Sequence, residues 1–317
     1  MSARATARRA VLAGAAALGL AACSGGEGGP GPGPSSSAAP DPVRTPSRED
    51  RTPVPAGLGE ELRSELRYGE HPRQVSDLWL PGGERRDALV VLVHGGGWGA
   101  ETDRRDVNDL VADLVLGGWP VLNTDYRGVG GGGGWPTTFT DVATAVDLAA
   151  RAAAEAGLEG VPVALVGHSA GGHLAFWAAA RHRLPAGAPG ADPLVRPVFA
   201  ASMAGVLNPT LLGERDAPEG DPNVRAVFGG PPEEVYEHYA VGDPTLLVPL
   251  GVPLSVVHGT ADATVPSWQA RTFTDAATAA GDDVRLELLD GVGHADPLDP
   301  SGSTWPLVRA RLEEVLG

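Results

Sequence analysis

Residues 161–172 read Val-Pro-Val-Ala-Leu-Val-Gly-His-Ser-Ala-Gly-Gly. Val161 to Val166 is a short apolar run, the pattern of a strand covered on both faces. From Ala170 to about Arg183 the chain turns alanine-rich, which predicts an amphipathic helix. Between them, Gly167-His168-Ser169-Ala170-Gly171 is a G-x-S-x-G pattern in the strand–turn–helix setting that it requires. Glycine at 167 and 171 removes side chains where so tight a turn would clash. The turn lifts the Ser169 hydroxyl to a helix N-terminus, where the dipole favours developing negative charge. Ser169 is therefore the candidate nucleophile.

Working outward, strands and helices alternate. Gln74–Leu80 predicts an antiparallel edge strand, and Ala88–Val93, Pro120–Tyr126, Val198–Met203, Leu254–His258 and Val284–Leu289 predict further strands. Helices are expected over Asp103–Leu116, Thr140–Ala156, Ser267–Ala280 and Trp305–Leu316. Such alternation implies an α/β fold with a mostly parallel central sheet and helices on both faces. Residues 209–250, rich in Pro, Gly and acid, break the rhythm and are expected to form a small cap insertion over the sheet edge.

In sheets of this kind the loops after the strands' carboxyl ends build the site. After Val93 comes His94-Gly95-Gly96-Gly97-Trp98, whose bare backbone can aim N–H groups at an oxyanion. Gly96 and Gly97, with Ala170, are the candidate donors. A serine hydroxyl needs a base, and the base an orienting acid. Downstream of Ser169, Asp262 follows Leu254–His258 and His294 follows Val284–Leu289. Asp290 and Asp296 flank His294 on its own loop, from which reaching round to the imidazole is awkward. His168 and His173 lie five residues apart, a spacing that does not set two ligands on one helix face. No metal and no cofactor are expected. Trp98 and Trp135 are candidates for a substrate pocket, and Gly128–Gly134 for a mobile wall of it; that glycine run matches a dinucleotide fingerprint only trivially.

Together these segments resemble an α/β-hydrolase over roughly residues 65 to 317. His258-Gly259-x-x-Asp262-x-x-Val265-Pro266 and Gly293-His294 resemble the esterase and prolyl-oligopeptidase-like branch. His94-Gly-Gly-Gly-Trp98, Tyr68-Gly69 and Asp77-Leu78-Trp79-Leu80-Pro81 resemble the arylformamidase and esterase branch. The resemblance implies a serine hydrolase with Ser169, Asp262 and His294 as its triad, acting on small carboxylic esters. Alternatives are an arylformamidase, an aminopeptidase-type amide hydrolase and, of another class, a non-catalytic ligand-binding envelope lipoprotein.

Composition narrows the partners. The formal net charge is −16, which disfavours nucleic acid and anionic lipid surfaces. Every basic residue is arginine, so lysine Schiff-base chemistry and a Walker-type phosphate loop are excluded. The single cysteine, Cys23, excludes an intrachain disulfide. Arg4, Arg8 and Arg9 precede the apolar run Val11–Ala22, too short to span a bilayer but suited to a signal peptide. Leu20-Ala21-Ala22-Cys23 resembles a bacterial lipobox, and Arg8-Arg9 a twin-arginine export signal. The expected organisation is a signal peptide over 1–22, a lipidated Cys23 with a Gly/Pro/Ser-rich tether over 23–60, and a catalytic domain over 61–317. The chain would thus be exported, with membrane contact only through its lipidated N-terminus.

Overall fold

β3 (Leu89–Val93) sits at the centre of an eight-stranded sheet and shows how the fold is built. All five of its residues are buried. Leu89, Val91 and Val93 enter one apolar core, Val90 and Leu92 the other. An unbroken apolar run, here Leu-Val-Val-Leu-Val, is what a strand covered on both faces requires. The structure is a computed structural model and describes residues 54–214 and 221–317. The signal segment, Cys23 and the tether as far as residue 53 lie outside the described residues.

The remaining strands are β1 (Arg63–Arg67), β2 (Val75–Trp79), β4 (Val121–Thr124), β5 (Val163–His168), β6 (Phe199–Met203), β7 (Leu254–Gly259) and β8 (Val284–Leu289). They lie in the order β1-β2-β4-β3-β5-β6-β7-β8, antiparallel at β1–β2 and β2–β4 and parallel from β4 onward. The helices are α1 (Asn108–Leu116), α2 (Thr137–Glu155), α3 (Ala170–Ala180), α4 (Pro209–Glu214), α5 (Pro222–Phe228), α6 (Tyr236–Gly242), α7 (Trp268–Ala280) and α8 (Trp305–Leu316). Residues of α2, α3 and α7 fill one core. Those of α1 and α8 fill the other. This is the mostly parallel α/β arrangement that the strand–helix alternation predicts, and the α/β-hydrolase fold that the family resemblance implies.

Three expectations need correction. The edge strand is β1, and β2 lies inside it with every residue buried. Arg63-Ser-Glu-Leu-Arg67 carries one apolar residue, and such charged edges resist pairing with other chains. The tether does not extend to residue 60: Val54 and Leu58 pack against the α1–α8 core. Nor does the insertion lie over a sheet edge. It joins β6 to β7, and its α6 reaches α3, where Trp177 Nε1–H donates to the Val241 carbonyl at 2.9 Å.

A buried polar network braces the antiparallel side next to the central strands. Arg104 donates to Asp77 at 2.7 Å and to Asp125 at 3.2 Å, and His94 Nε2 bonds Asp125 at 3.1 Å. Asp77 is on β2, Asp125 follows β4 and His94 follows β3. The charges thus clamp the strand ends from which the glycine-rich loop springs.

Candidate active site

Ser169 occupies the turn between β5 and α3 with φ 54° and ψ −121°, a backbone that non-glycine residues adopt at a cost. What permits it is the closeness of its surroundings. A Cβ at Gly167 would lie 2.1 Å from the Gly171 carbonyl oxygen, and one at Gly171 would lie 2.1 Å from that of Val93. Any side chain there would drive the elbow off β3. The Ser169 N–H donates to Met203 O at 2.9 Å, tying the elbow to β6 as well.

The loops after β7 and β8 meet at this elbow. His294 Nε2 lies 3.0 Å from Ser169 Oγ, and His294 Nδ1 lies 2.7 Å from Asp262 Oδ2. A carboxylate only accepts, so Nδ1 carries the proton and Nε2 is free to accept from the serine hydroxyl. The other Asp262 oxygen, Oδ1, accepts the backbone N–H of Thr264 at 2.9 Å and of Val265 at 2.8 Å. Burial raises the Asp262 carboxyl, but donors from His258, His294 and Val265 more than reverse this and hold it well below the usual carboxylate range. The flanking acids are engaged elsewhere: Asp290 with Thr260, Asp296 with Thr304.

Above the hydroxyl, Gly96, Gly97 and Trp98 run through three consecutive positive φ values of 96°, 59° and 56°. Among the described residues none accepts from the N–H of Gly96, Gly97 or Ala170. The three predicted donors and Ser169 all border one pocket of about 570 Å³. Val206, Leu212, Val224, Val265 and Leu298 give this pocket an apolar wall, and Asp106, Asp221 and Asn223 a polar one.

Trp98 borders the pocket; Trp135 does not. Trp135 stacks on His238 at 4.7 Å and meets Phe139 edge-on at 4.8 Å, so it belongs to the packing beneath the insertion. Nor is the glycine run Gly128–Gly134 a pocket wall. It backs the Gly96–Trp98 turn: Val129 N–H donates to Trp98 O at 2.7 Å, and Ala100 N–H to Val129 O at 3.0 Å. A Cβ at Gly128 would fall 2.3 Å from Gly99 O, so bare backbone is needed for that approach. The insertion's contributions, Leu212, Asp221, Asn223 and Val224, went unforeseen, as did His258, whose Nε2 lies 3.3 Å from Asp262 Oδ2. Among the described residues no three His, Cys, Asp or Glu side chains converge so as to hold a metal ion.

A family model described as BD-FAE matches residues 76–276, well over half of the chain. The chain belongs to the BD-FAE family. Esterase LipC of Mycobacterium tuberculosis is 29% identical over 287 residues, covering 84% of this chain and 69% of that protein. Three further curated relatives are matched over only 50% to 58% of their length. Among solved structures, a truncated carbohydrate esterase from gut microbiota superposes with a TM-score of 0.69 at 19% identity, covering 81% of this chain and 98% of the other. The thermophilic esterase Est2 of Thermogutta terrifontis, with propionate bound, gives 0.62 at 25% identity over 80% of this chain and 94% of its own. Both likenesses are of fold.

Two buried imidazoles near the elbow link acidity to stability. Burial, with His294 next to it in one case, lowers both His168 and His173 to about 4. An unfolded chain protonates these rings near pH 6.5 while the native state does not, so stability is intact above pH 6.5 and falls as pH drops toward 4. Each ring removes up to about 1.4 kcal/mol per pH unit across that window. Buried Asp243, raised to about 6, acts in the opposite sense over part of this window, so the test is differential: urea unfolding midpoints should fall less between pH 7 and pH 5 in His173→Gln than in the parent. An equal dependence in the two proteins would contradict the buried neutral ring of His173.

Proposed function

We propose that the protein hydrolyses small carboxylic esters through Ser169, His294 and Asp262. That it is an enzyme of the carboxylesterase class follows from its esterase relatives. The observation that carries the mechanism is the continuous chain Ser169 Oγ–His294–Asp262, at 3.0 Å and 2.7 Å, opening on a pocket rimmed by unpaired backbone N–H groups. His294 Nε2 takes the Ser169 proton as Oγ attacks the acyl carbon. Asp262 keeps the ring in the required tautomer and offsets its charge. N–H groups of Gly96, Gly97 and Ala170 receive the oxyanion, each donor lowering the barrier by about 3 kcal/mol. The imidazolium protonates the leaving alkoxide, and water then repeats the sequence on the acyl-enzyme. The apolar pocket wall supports a short acyl chain, as does the propionate held by the solved Thermogutta esterase.

The test is a comparison of p-nitrophenyl acetate and butyrate with N-formyl aromatic amines and aminoacyl arylamides. The esters should be turned over with kcat/KM at least tenfold above either amide class. Faster turnover of a formamide or an arylamide would replace the ester reading with the corresponding amidase.

The N-terminus supports export as a lipoprotein, with Cys23 acylated and the catalytic domain outside the cytoplasm. Cys23→Ala should move the protein from the membrane to the soluble fraction; retention at the membrane would contradict the anchor.

A further inference from the structure

His173 is used by none of the steps above, yet it touches the Ser169 elbow, the Gly96–Trp98 turn and the insertion. It stands one turn along α3 from the nucleophile, and its backbone N–H donates to the Ser169 carbonyl at 3.2 Å. Its ring is fully buried. On one side Trp98 Nε1–H approaches His173 Nδ1 at 3.2 Å; on the other His173 Nε2 lies 2.9 Å from the Gly242 carbonyl oxygen at the end of α6. An indole N–H only donates and a carbonyl oxygen only accepts. The ring must therefore be neutral, with its proton on Nε2, because the other tautomer and the imidazolium each set a donor against the indole.

We propose that His173 is a positioning residue for the oxyanion loop, holding the Gly96–Trp98 turn in register with Ser169 through the Trp98 indole and bracing it against the insertion. The proposal rests on the ester-hydrolase reading. Trp98 is the non-glycine member of the three positive-φ residues, a backbone that persists only where its surroundings over-determine it. Two bonds do so: Val129 N–H to the Trp98 carbonyl, and the Trp98 indole to His173. The two rings also meet edge-on, 5.3 Å apart at 84°. Releasing the indole frees the segment that carries the N–H groups of Gly96 and Gly97. Oxyanion donors work only when fixed in advance, and a misplacement of about 1 Å can cost 100-fold. The loss should fall on kcat, since the oxyanion exists in the transition state and not in the bound ester.

The experiment is steady-state turnover of p-nitrophenyl butyrate by Trp98→Phe, His173→Phe, the double variant and His173→Gln, with thermal unfolding of each. Ser169→Ala is run alongside. Trp98→Phe keeps an aromatic ring but removes the donor and part of the buried ring volume, a packing cost that thermal unfolding reports separately; His173→Phe removes the acceptor and the brace. Each should lower kcat by about 10- to 100-fold with KM changed less than about threefold. The double variant should be no worse than His173→Phe, because both act through one bond. His173→Gln, which keeps an acceptor and a donor, should recover most of the loss. If His173→Phe does not fold, Trp98→Phe and His173→Gln decide. Multiplying effects, a loss confined to KM, or kcat within twofold of the parent in Trp98→Phe would overturn the relay. Turnover that survives Ser169→Ala would instead overturn the hydrolase reading beneath it.

Discussion

Ser169→Ala should lower kcat toward p-nitrophenyl esters by about a million-fold and abolish labelling by a fluorophosphonate probe, with KM changed only a few-fold. The size of the loss follows from the geometry. Ser169 Oγ is the only polar atom of that side chain, and its partner is His294 Nε2 at 3.0 Å. Alanine leaves the pocket wall and the Gly96, Gly97 and Ala170 N–H groups in place, so substrate still enters and its carbonyl is still polarised. What disappears is the covalent route, and with it the benefit of splitting one difficult step into two easier ones. His294→Ala should cost nearly as much, and the double variant little more than either, because the residues act as a unit. Stability should hardly move, since alanine accepts the same strained backbone and, among the described residues, the hydroxyl bonds only His294. A loss below about a hundredfold, or labelling that persists in the variant, would remove Ser169 from its role.

The legible parts of the molecule are those in which local chemistry and tertiary demand coincide. β5 and its elbow can be read from Val161 to Gly172 because each glycine answers a specific close approach, at Gly171 O and at Val93 O. β8 falls on its predicted bounds because Asp290-Gly291 ends an apolar alternation sharply. β1 is hidden because an edge strand is selected for charge, which leaves a strand pattern with one buried residue in five. Trp135 misleads for another reason. A tryptophan beside a glycine run is equally suited to a pocket and to a packed seam, and only the arrival of His238 from the insertion decides between them. The tie between Trp98 and His173 spans 75 residues and has no periodic signature at all. At the candidate site, then, loops after strands carry the side chains that the sequence singles out, while the residues that hold them in place emerge from three-dimensional packing.

Asp262→Asn should reduce kcat by about 10,000-fold without disturbing the fold, through the tautomer of His294. The carboxylate is held asymmetrically. Oδ1 accepts two backbone N–H groups, from Thr264 and Val265, whereas Oδ2 faces His294 Nδ1 at 2.7 Å and His258 Nε2 at 3.3 Å. An asparagine must therefore keep its carbonyl oxygen at the Oδ1 position, because turning the amide over would set its N–H₂ against two backbone donors. That choice aims the N–H₂ at both imidazoles. His294 Nδ1 must then become the acceptor, its proton moves to Nε2, and Nε2–H confronts the Ser169 hydroxyl that it should deprotonate. The ring stays in place but has no lone pair where the base is needed. His258 Nε2–H also donates to the Val265 carbonyl at 2.9 Å, which keeps its proton on Nε2 and sets it against the new N–H₂, so some loss of stability should accompany the loss of rate. Substrate binding should survive, since Asp262 does not border the pocket. Steady-state kinetics on a short-chain p-nitrophenyl ester, with circular dichroism to verify the fold, would measure the effect. A folded Asp262→Asn enzyme retaining more than about a tenth of the parent kcat would mean that the orienting acid lies elsewhere.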